Sequence, residues 1–492
     1  MRAEKDGPTA PLEPSREVAA AWLQTLSRFC LDHIDGLEHA PAGGLPPEQT
    51  RAVAQTVSRP LGEGPLPGGM EAIAHLLGQA AQAALLAPGP GYLAYIPGGG
   101  LFASALADLV ANVLNRYTGM PSPAPALFRL ERDVLDWLCR QFGYGENARA
   151  VFTPGGSLAT LAALVAARHA AFGDSGDFRR AVLYTSVEAH HSVGKAARLA
   201  GVPPDNVRFL PVDSGFRLDP AALAAALLTD RARGLTPFAV VAAAGTTNTG
   251  AIDPLPALVE FCAREKLWLH VDAAYGGAFV LTALGRERLR GIAGADSITF
   301  DPHKGLFLPY GTGCLLAKDG ETLRRAHHLE APYLQDLSAP SELDSWSPAE
   351  LGPELSRDFR GLRLWLPLQL HGAGAFRRAL EEKLALAERL CAGLEALAAD
   401  GAPLEIVARP QLSLVAFRLR RTTGEALGAW NERNRRLLSA INARARVHLS
   451  STQLPGPDGA IYTLRACVLS FRTHERHIQR CLEDIDAVLT RK

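Results

Sequence analysis

Two short segments carry the side chains whose types and spacing could do chemistry: His270-Val271-Asp272-Ala273-Ala274-Tyr275-Gly276-Gly277 and Asp301-Pro302-His303-Lys304-Gly305. Trp268-Leu269-His270-Val271 and Ser297-Ile298-Thr299-Phe300, which lead into them, read as short buried strands. Ligands of open α/β sheets collect beyond the carboxyl ends of such strands, so Asp272 and Lys304 are expected to face one site. A carboxylate and an amine presented together have two readings. One is a buried ion pair joining neighbouring strands, the commoner role of an isolated Asp and Lys. The other is pyridoxal phosphate: the carboxylate keeps the pyridine nitrogen protonated so that the ring accepts electrons, and the amine forms the resting imine.

Other segments add to the second reading. Thr153-Pro154-Gly155-Gly156 breaks the chain, and Ser157 opens a helix predicted over Leu158–Ala171, which presents bare N–H groups and a hydroxyl to an anion. Taken alone, it is a capped turn. His190 follows the predicted strand Ala181–Thr185 and precedes a helical run, Ser192–Ala200; by itself it is a surface histidine at a helix entry, as is His191. Thr247, at the end of the apolar strand Phe238–Ala244, either bonds a ligand or caps a turn. The seven cysteines lie singly, without a C-x-x-C pair, as core thiols do. Neither His190-His191 nor His327-His328 has a spaced carboxylate or thiol beside it, so no metal site is expected.

Five ordered segments resemble the group II pyridoxal-phosphate-dependent amino acid decarboxylases, over nearly the whole chain. They are Pro154-Gly155-Gly156-Ser157, Ala189-His190-His191-Ser192-Val193-Gly194-Lys195, Gly245-Thr246-Thr247-Asn248-Thr249-Gly250, the Asp272 segment and Pro302-His303-Lys304. That family includes aromatic amino acid, glutamate, histidine and diaminobutyrate decarboxylases. The resemblance implies decarboxylation of an L-amino acid to the amine and CO2, with pyridoxal 5'-phosphate as cofactor and Lys304, His190 and Asp272 as catalytic residues. Lys304 would carry the imine and Asp272 the ring nitrogen. His190 would lie parallel on the pyridine ring, opposite Ala274. Gly155, Gly156, Ser157 and His303 would hold the phosphate, and Thr247 would reach the ring substituents. Asp301 stands where some members carry a neutral amide and is left outside the site.

Two departures from the family bear on the outcome. In the aromatic amino acid decarboxylases a tyrosine on a mobile loop after a Tyr-Leu pair returns the proton to Cα, and its replacement by phenylalanine diverts some members to aldehyde formation with oxygen. Here Tyr333-Leu334 is followed by Gln335 to Ser356, a proline- and serine-rich stretch suited to a lid, with Trp346 as its one aromatic residue and no tyrosine. Either another group such as His190 protonates the carbanion, or the chain is an aldehyde-forming oxidative deaminase or an aminotransferase. A scaffold without cofactor is the third reading, opposed by the intact motifs. The second departure lies in Tyr92-Leu93-Ala94-Tyr95-Ile96-Pro97-Gly98-Gly99-Gly100, which matches the family's substrate-binding segment but has glycine in place of a hydroxyl-bearing residue. Tyr92 and Tyr95 either line a pocket for an aromatic side chain or pack under the sheet. Arg472 matches a family arginine and is expected in a structural salt bridge.

The elements that must position these groups fall into three regions. From Pro14 to Gln79, helical stretches such as Val18–Leu37 alternate with proline-rich links and cannot hold a core of their own, so the segment 1–79 must pack on something else. By resemblance it wraps over the partner subunit of a homodimer. Residues 80–372 alternate apolar strands (Ala181–Thr185, Val207–Pro211, Phe238–Ala244, Trp268–Ala273, Ile298–Asp301, Gly313–Ala317) with amphipathic helices, the pattern of an α/β cofactor-binding domain. The resemblance makes this the fold-type I (aspartate aminotransferase-like) architecture with a mainly parallel seven-stranded sheet. Residues 373–492 begin with a long helix, Arg377–Ala399, continue through strand-like Ser413–Leu419 and Leu464–Phe471 and end in a helix: a small α+β domain. The 492 residues are 47% hydrophobic with 51 basic and 51 acidic side chains, enough for a large core and without the charge that draws nucleic acid or an anionic membrane. Met1 to Pro14 lacks the apolar centre of a secretory signal and no run of eighteen apolar residues occurs, so a cytoplasmic protein is expected.

Overall fold

A computed structural model describes residues 12–328, 332 and 346–490. Seven strands build the central sheet: β1 (Arg149–Thr153), β2 (Ala181–Ser186), β3 (Val207–Leu210), β4 (Thr236–Ala243), β5 (Trp268–Asp272), β6 (Ser297–Phe300) and β7 (Gly313–Ala317). Their order is β1-β7-β6-β5-β4-β2-β3, and β7 alone runs against the others, antiparallel to both β6 and β1. The sheet is thus mainly parallel, with the carboxyl ends of six strands and the amino end of β7 along one edge.

Alternation along the strands divides the core. Val240 and Ala242 of β4, Leu269 and Val271 of β5, Ile298 and Phe300 of β6 and Cys314 and Leu316 of β7 are buried in one large cluster with the helix Pro125–Gln141. The opposite face lies under the helix Gly156–Phe172, whose buried side chains include Ala159, Ala162, Ala163, Ala166 and Ala167. On this face the sheet also carries a polar row. His270 Nδ1 pairs with Ser297 Oγ at 2.8 Å and its Nε2 with Thr299 Oγ1 at 3.1 Å, and Thr299 Oγ1 meets Thr160 Oγ1 of the helix at 3.1 Å. Because side chains on a strand repeat every two residues, Asp272 and Asp301 follow His270 and Thr299 on that same face.

The helix Gly361–Ala399 is interrupted at Gly372 (φ 70°, ψ 156°), a conformation that suits a residue without Cβ. Beyond it lies an antiparallel sheet of order β10-β11-β9-β8, made from β8 (Leu404–Ala408), β9 (Leu414–Leu419), β10 (Ser450–Leu454) and β11 (Ile461–Cys467), with the helices Leu427–Asn442 and Glu475–Thr490. The N-terminal helices Arg16–Gly36 and Pro47–Val57 bury no residue, and Gly69–Gln82 buries Ala74 alone. No helix among the described residues is long and apolar enough to cross a membrane.

The expected elements differ from the observed ones at three strands. β1, β8 and β10 were not foreseen: β8 is mostly half-buried and β10 is the polar run Ser450-Ser451-Thr452-Gln453-Leu454. The lid expected from Gln335 to Ser356 is too long. Residues 335–345 lie outside the described ones, but from Trp346 to Gly352 the chain is packed: Trp346 lies under the Arg149 guanidinium, which is 4.7 Å from the indole ring centre, and Ser347, Pro348 and Leu351 are buried. Arg149 starts β1, so Trp346 sits at the edge opposite the carboxyl ends.

A buried ion pair braces this arrangement. Arg357 Nη1 bonds Glu131 Oε1, their side chains are 1% and 2% exposed, and Glu131 Oε2 accepts the N–H of Gly361, the first residue of the long helix, at 2.9 Å. Removing one partner leaves a buried charge and a bare N–H. Glu131→Ala should therefore destabilise the protein by about 3 kcal/mol, read as a lowered urea midpoint.

Candidate functional site

A cavity of about 460 Å3 opens at the common edge, and segments following β1, β2, β4, β5 and β6 all reach it. After β1, Gly155 caps the helix Gly156–Phe172, and its carbonyl takes the N–H groups of Leu158 and Ala159 at 3.1 and 3.2 Å. The N–H groups of Gly156 and Ser157 precede the first helical bond and stay available to an anion. The close fit needs glycine: a Cβ on Gly156 would lie 3.0 Å from Asp301 Oδ2, and one on Gly313 would stand 2.5 Å from the Gly155 backbone.

After β2, His190 is fixed by Ser192, whose N–H reaches His190 Nδ1 at 3.3 Å and whose hydroxyl lies 2.7 Å away. Nδ1 is thus the acceptor and the neutral ring carries its proton on Nε2. Burial, with smaller contributions from His191 and Lys304, lowers its pKa to about 4. After β4, Thr246 is spent inside the turn, with its hydroxyl on Thr249 Oγ1 and the Ala251 N–H, which leaves Thr247 to the cavity. At the end of β5, Asp272 accepts from the Ala274 N–H at 3.1 Å. Burial raises its pKa, with Lys304 opposing.

The segment after β6 brings the largest charges. Lys304 Nζ is 2.9 Å from Asp301 Oδ2, and His303 Nε2 is 3.7 Å from the same oxygen. Burial alone would lower the Lys304 pKa, but Asp301 and then Asp272 outweigh it and hold the ammonium above its ordinary range. His303 Nδ1 lies 2.7 Å from the Thr312 carbonyl and must donate to it. Burial keeps the ring neutral, so Nε2 offers a lone pair, and His303 becomes a donor to an anion only by gaining a proton.

Gly155, Gly156, Ser157, His190, Thr247, Asp272, Ala274, His303 and Lys304 therefore share one cavity. Tyr92 and Tyr95 do not line it. Tyr92 is buried and stacked on His448, ring centres 5.6 Å apart, while Tyr95 is 58% exposed; Ile96 takes the place expected of them. The salt bridge expected of Arg472 is also absent among the described residues: its guanidinium donates to the carbonyls of Pro88, Gly99 and Gly100. Asp301, left outside the site from sequence, lies inside it, 2% exposed, with Oδ1 unbonded among the described residues. The signal was available. In Ser297-Ile298-Thr299-Phe300-Asp301 the polar positions alternate with apolar ones, which places Asp301 on the face of Thr299.

A glycine-rich helix N-terminus, a lysine and a carboxylate around one cavity fit the three anchor points of pyridoxal phosphate: its phosphate, aldehyde and ring nitrogen. Residues 87–420 match the family model of the pyridoxal-dependent decarboxylase conserved domain. The aromatic-L-amino-acid decarboxylase of Bacillus atrophaeus is 33% identical over 399 residues, 81% of this chain and 81% of that protein. The phenylacetaldehyde synthase of Arabidopsis thaliana is 30% identical over 404 residues, 79% of this chain and 80% of that protein. The crystal structure of Oryza sativa TDC with PLP and tryptamine superposes with a TM-score of 0.86 at 26% identity, over 98% of this chain and 99% of that one.

The Asp301–Lys304 pair gives a direct test. In Asp301→Asn the amine loses its nearest countercharge, so its pKa falls and uncharged amine appears at lower pH. Modification of the cofactor-free protein by trinitrobenzenesulfonate at Lys304, followed against pH, should show its midpoint moved downward. An unmoved midpoint would assign the ammonium to Asp272 alone.

Proposed function

The chain belongs to the pyridoxal-dependent decarboxylase family, and from that premise we propose that it converts an aromatic L-amino acid to its amine and CO2. The observation that carries the proposal is the cavity in which Lys304, Asp272 and the Gly155-Gly156-Ser157 turn converge. Its cofactor is pyridoxal 5'-phosphate. When bound, this group supplies an electron sink for the pair left on carbon as CO2 departs.

The chain's residues divide the remaining work. Gly155, Gly156 and Ser157 would hold the phosphate at the helix N-terminus, with His303 beside them. Lys304 would join the aldehyde carbon through Nζ and yield that place to the substrate amine. Asp272, made reluctant by burial to stand alone as a charge, would hold a proton at the ring nitrogen. His190 and Ala274 would confine the two faces of the ring, and Thr247 would reach its substituents. Ile96, which also lines the cavity, would add an apolar wall that excludes water.

A homodimer accounts for the N-terminal segment. Trp22, Leu23, Leu31, Ile73 and Leu77 project from helices with almost no buried residue, and Phe102, Leu106, Leu109, Val110 and Val113 of the helix Phe102–Leu114 are also exposed. A second copy of the chain would cover these surfaces.

A specific feature favours a second reading, aldehyde formation with oxygen: no tyrosine occurs from Gln335 to Ser356. Incubation with L-tryptophan, L-tyrosine and L-phenylalanine, with CO2, amine, aldehyde and oxygen uptake measured together, separates the two. Equal amine and CO2 without oxygen uptake is the expected result; keto-acid-dependent turnover would instead mark an aminotransferase. Lys304→Ala should lose both turnover and the imine absorbance. Asp272→Asn should lower kcat by about 10²–10³-fold, the scale of one lost electrostatic partner of the reacting charge.

A further inference from the structure

The turn that would hold the phosphate is backed by a carboxylate and flanked by an imidazole, and both offer it acceptors. Asp301 is 2% exposed and lies behind the turn: a Cβ on Gly156 would stand 3.0 Å from Oδ2 and 3.2 Å from Oδ1, and Oδ1 is unbonded among the described residues. His303 sits beside the same turn, its Cε1 3.7 Å from a Cβ placed on Gly155. Its Nδ1 lies 2.7 Å from the Thr312 carbonyl and takes the donor role there, so in the neutral ring Nε2 is a lone pair. That lone pair lies 3.7 Å from Asp301 Oδ2. An anion entering the turn is a third acceptor in a buried space, an arrangement that polar groups withdrawn from water avoid.

We propose that the phosphate end of the cavity binds its dianion together with one proton, which settles on His303 Nε2 and makes the ring a donor to the anion. The inference rests on the cofactor reading and deepens it: loading of the cofactor is coupled to proton uptake. The groups around the ring decide where the proton goes. Burial keeps the imidazole neutral in the cofactor-free protein against the pull of Asp301, and the Lys304 ammonium adds to the effect of burial. From the loop before β7, Tyr310 brings a phenol whose ring lies over Gly98, with its centre 5.7 Å from that of the His303 ring. Arg363 of the helix Gly361–Ala399 is paired with Asp108 and donates to the Gly311 carbonyl at 3.1 Å and to Thr312 Oγ1 at 3.3 Å. His190 and Asp272 line the same cavity. A doubly negative ligand at the turn tips this balance, because its charge favours the imidazolium. Lys304 does not take the proton: against burial, Asp301 and Asp272 already keep it charged.

Sulfate is the probe, because it has the charge and shape of a phosphate dianion and takes up no proton of its own near neutrality. Calorimetric titration of the cofactor-free protein with sodium sulfate, in buffers of differing ionisation enthalpy, counts the protons taken up per anion bound. Wild type should take up about one, and its Kd for sulfate should rise about tenfold per pH unit from about pH 7.5 to 8.5, the slope of a single linked proton. Over this range His303 is neutral without the anion and charged with it, so binding weakens as protons become scarce. His303→Gln, whose amide can donate without titrating, should bind sulfate without proton uptake and with a flat pH profile. His303→Asn, which can keep the bond to the Thr312 carbonyl but falls short of the anion, should also lose the uptake. No uptake by wild type overturns the proposal, and so does an uptake that either variant keeps, which would place the proton on another group such as His190 or Asp272. Failure of sulfate to bind a protein that still forms the imine with pyridoxal phosphate overturns it too. Absence of imine absorbance with pyridoxal phosphate removes the cofactor reading itself, a result distinct from these.

Discussion

One ammonium, on Lys304, is held at a sheet edge between two carboxylates, and the geometry around it follows from that electrostatic demand. A lysine withdrawn from water loses solvation, which favours the neutral amine, so its charge has to be met by groups close at hand. Asp301 meets it at 2.9 Å from one turn away and Asp272 from the neighbouring strand. Both can do so because β5 and β6 are adjacent and parallel, with Asp272 in register with Thr299. Two carboxylates against one amine leave the lining with an excess of negative charge, a setting in which a protonated ring nitrogen is at home.

That charge cluster needs a rigid floor. The row from Ser297 through His270 and Thr299 to Thr160 stitches β5 and β6 to the helix that begins at the Gly155-Gly156-Ser157 turn. Burial lowers the His270 pKa to about 3, so the ring stays neutral and keeps both bonds through the physiological range. The alanine-lined face of that helix brings its backbone close to the sheet, and Gly156 then rests against Asp301. Tyr275 ties the site to the C-terminal sheet: its hydroxyl accepts the Ser413 N–H at 2.9 Å and meets Ser413 Oγ at the same distance.

The groups that were legible in the sequence sit directly after apolar strands. Lys304, Asp272, His190 and Thr247 each follow a run whose burial is plain from composition, the Gly155-Gly156-Ser157 turn announces itself by its own residues, and the sheet's connectivity then brings them to one edge. Asp301 falls outside the site by resemblance but inside it by strand alternation, because the period of a strand and not the identity of one residue sets the face on which a side chain lies. Tyr92 and Tyr95 failed for another reason: in an irregular segment no period fixes where a side chain points, and the Tyr92 backbone pairs with His448 of the C-terminal region, 356 residues away in sequence. β10 escaped notice because its stability comes from its partner β11 and not from its own polar residues.

The Tyr310 ring lies over Gly98, where a Cβ would stand 2.6 Å from Cζ, and this contact limits how such chains can diverge. A side chain gained at position 98 would collide with the aromatic ring, and a ring lost at 310 would leave a hollow above the glycine. Neither change is neutral without the other, so the two positions, more than two hundred residues apart in sequence, are bound to drift as a unit.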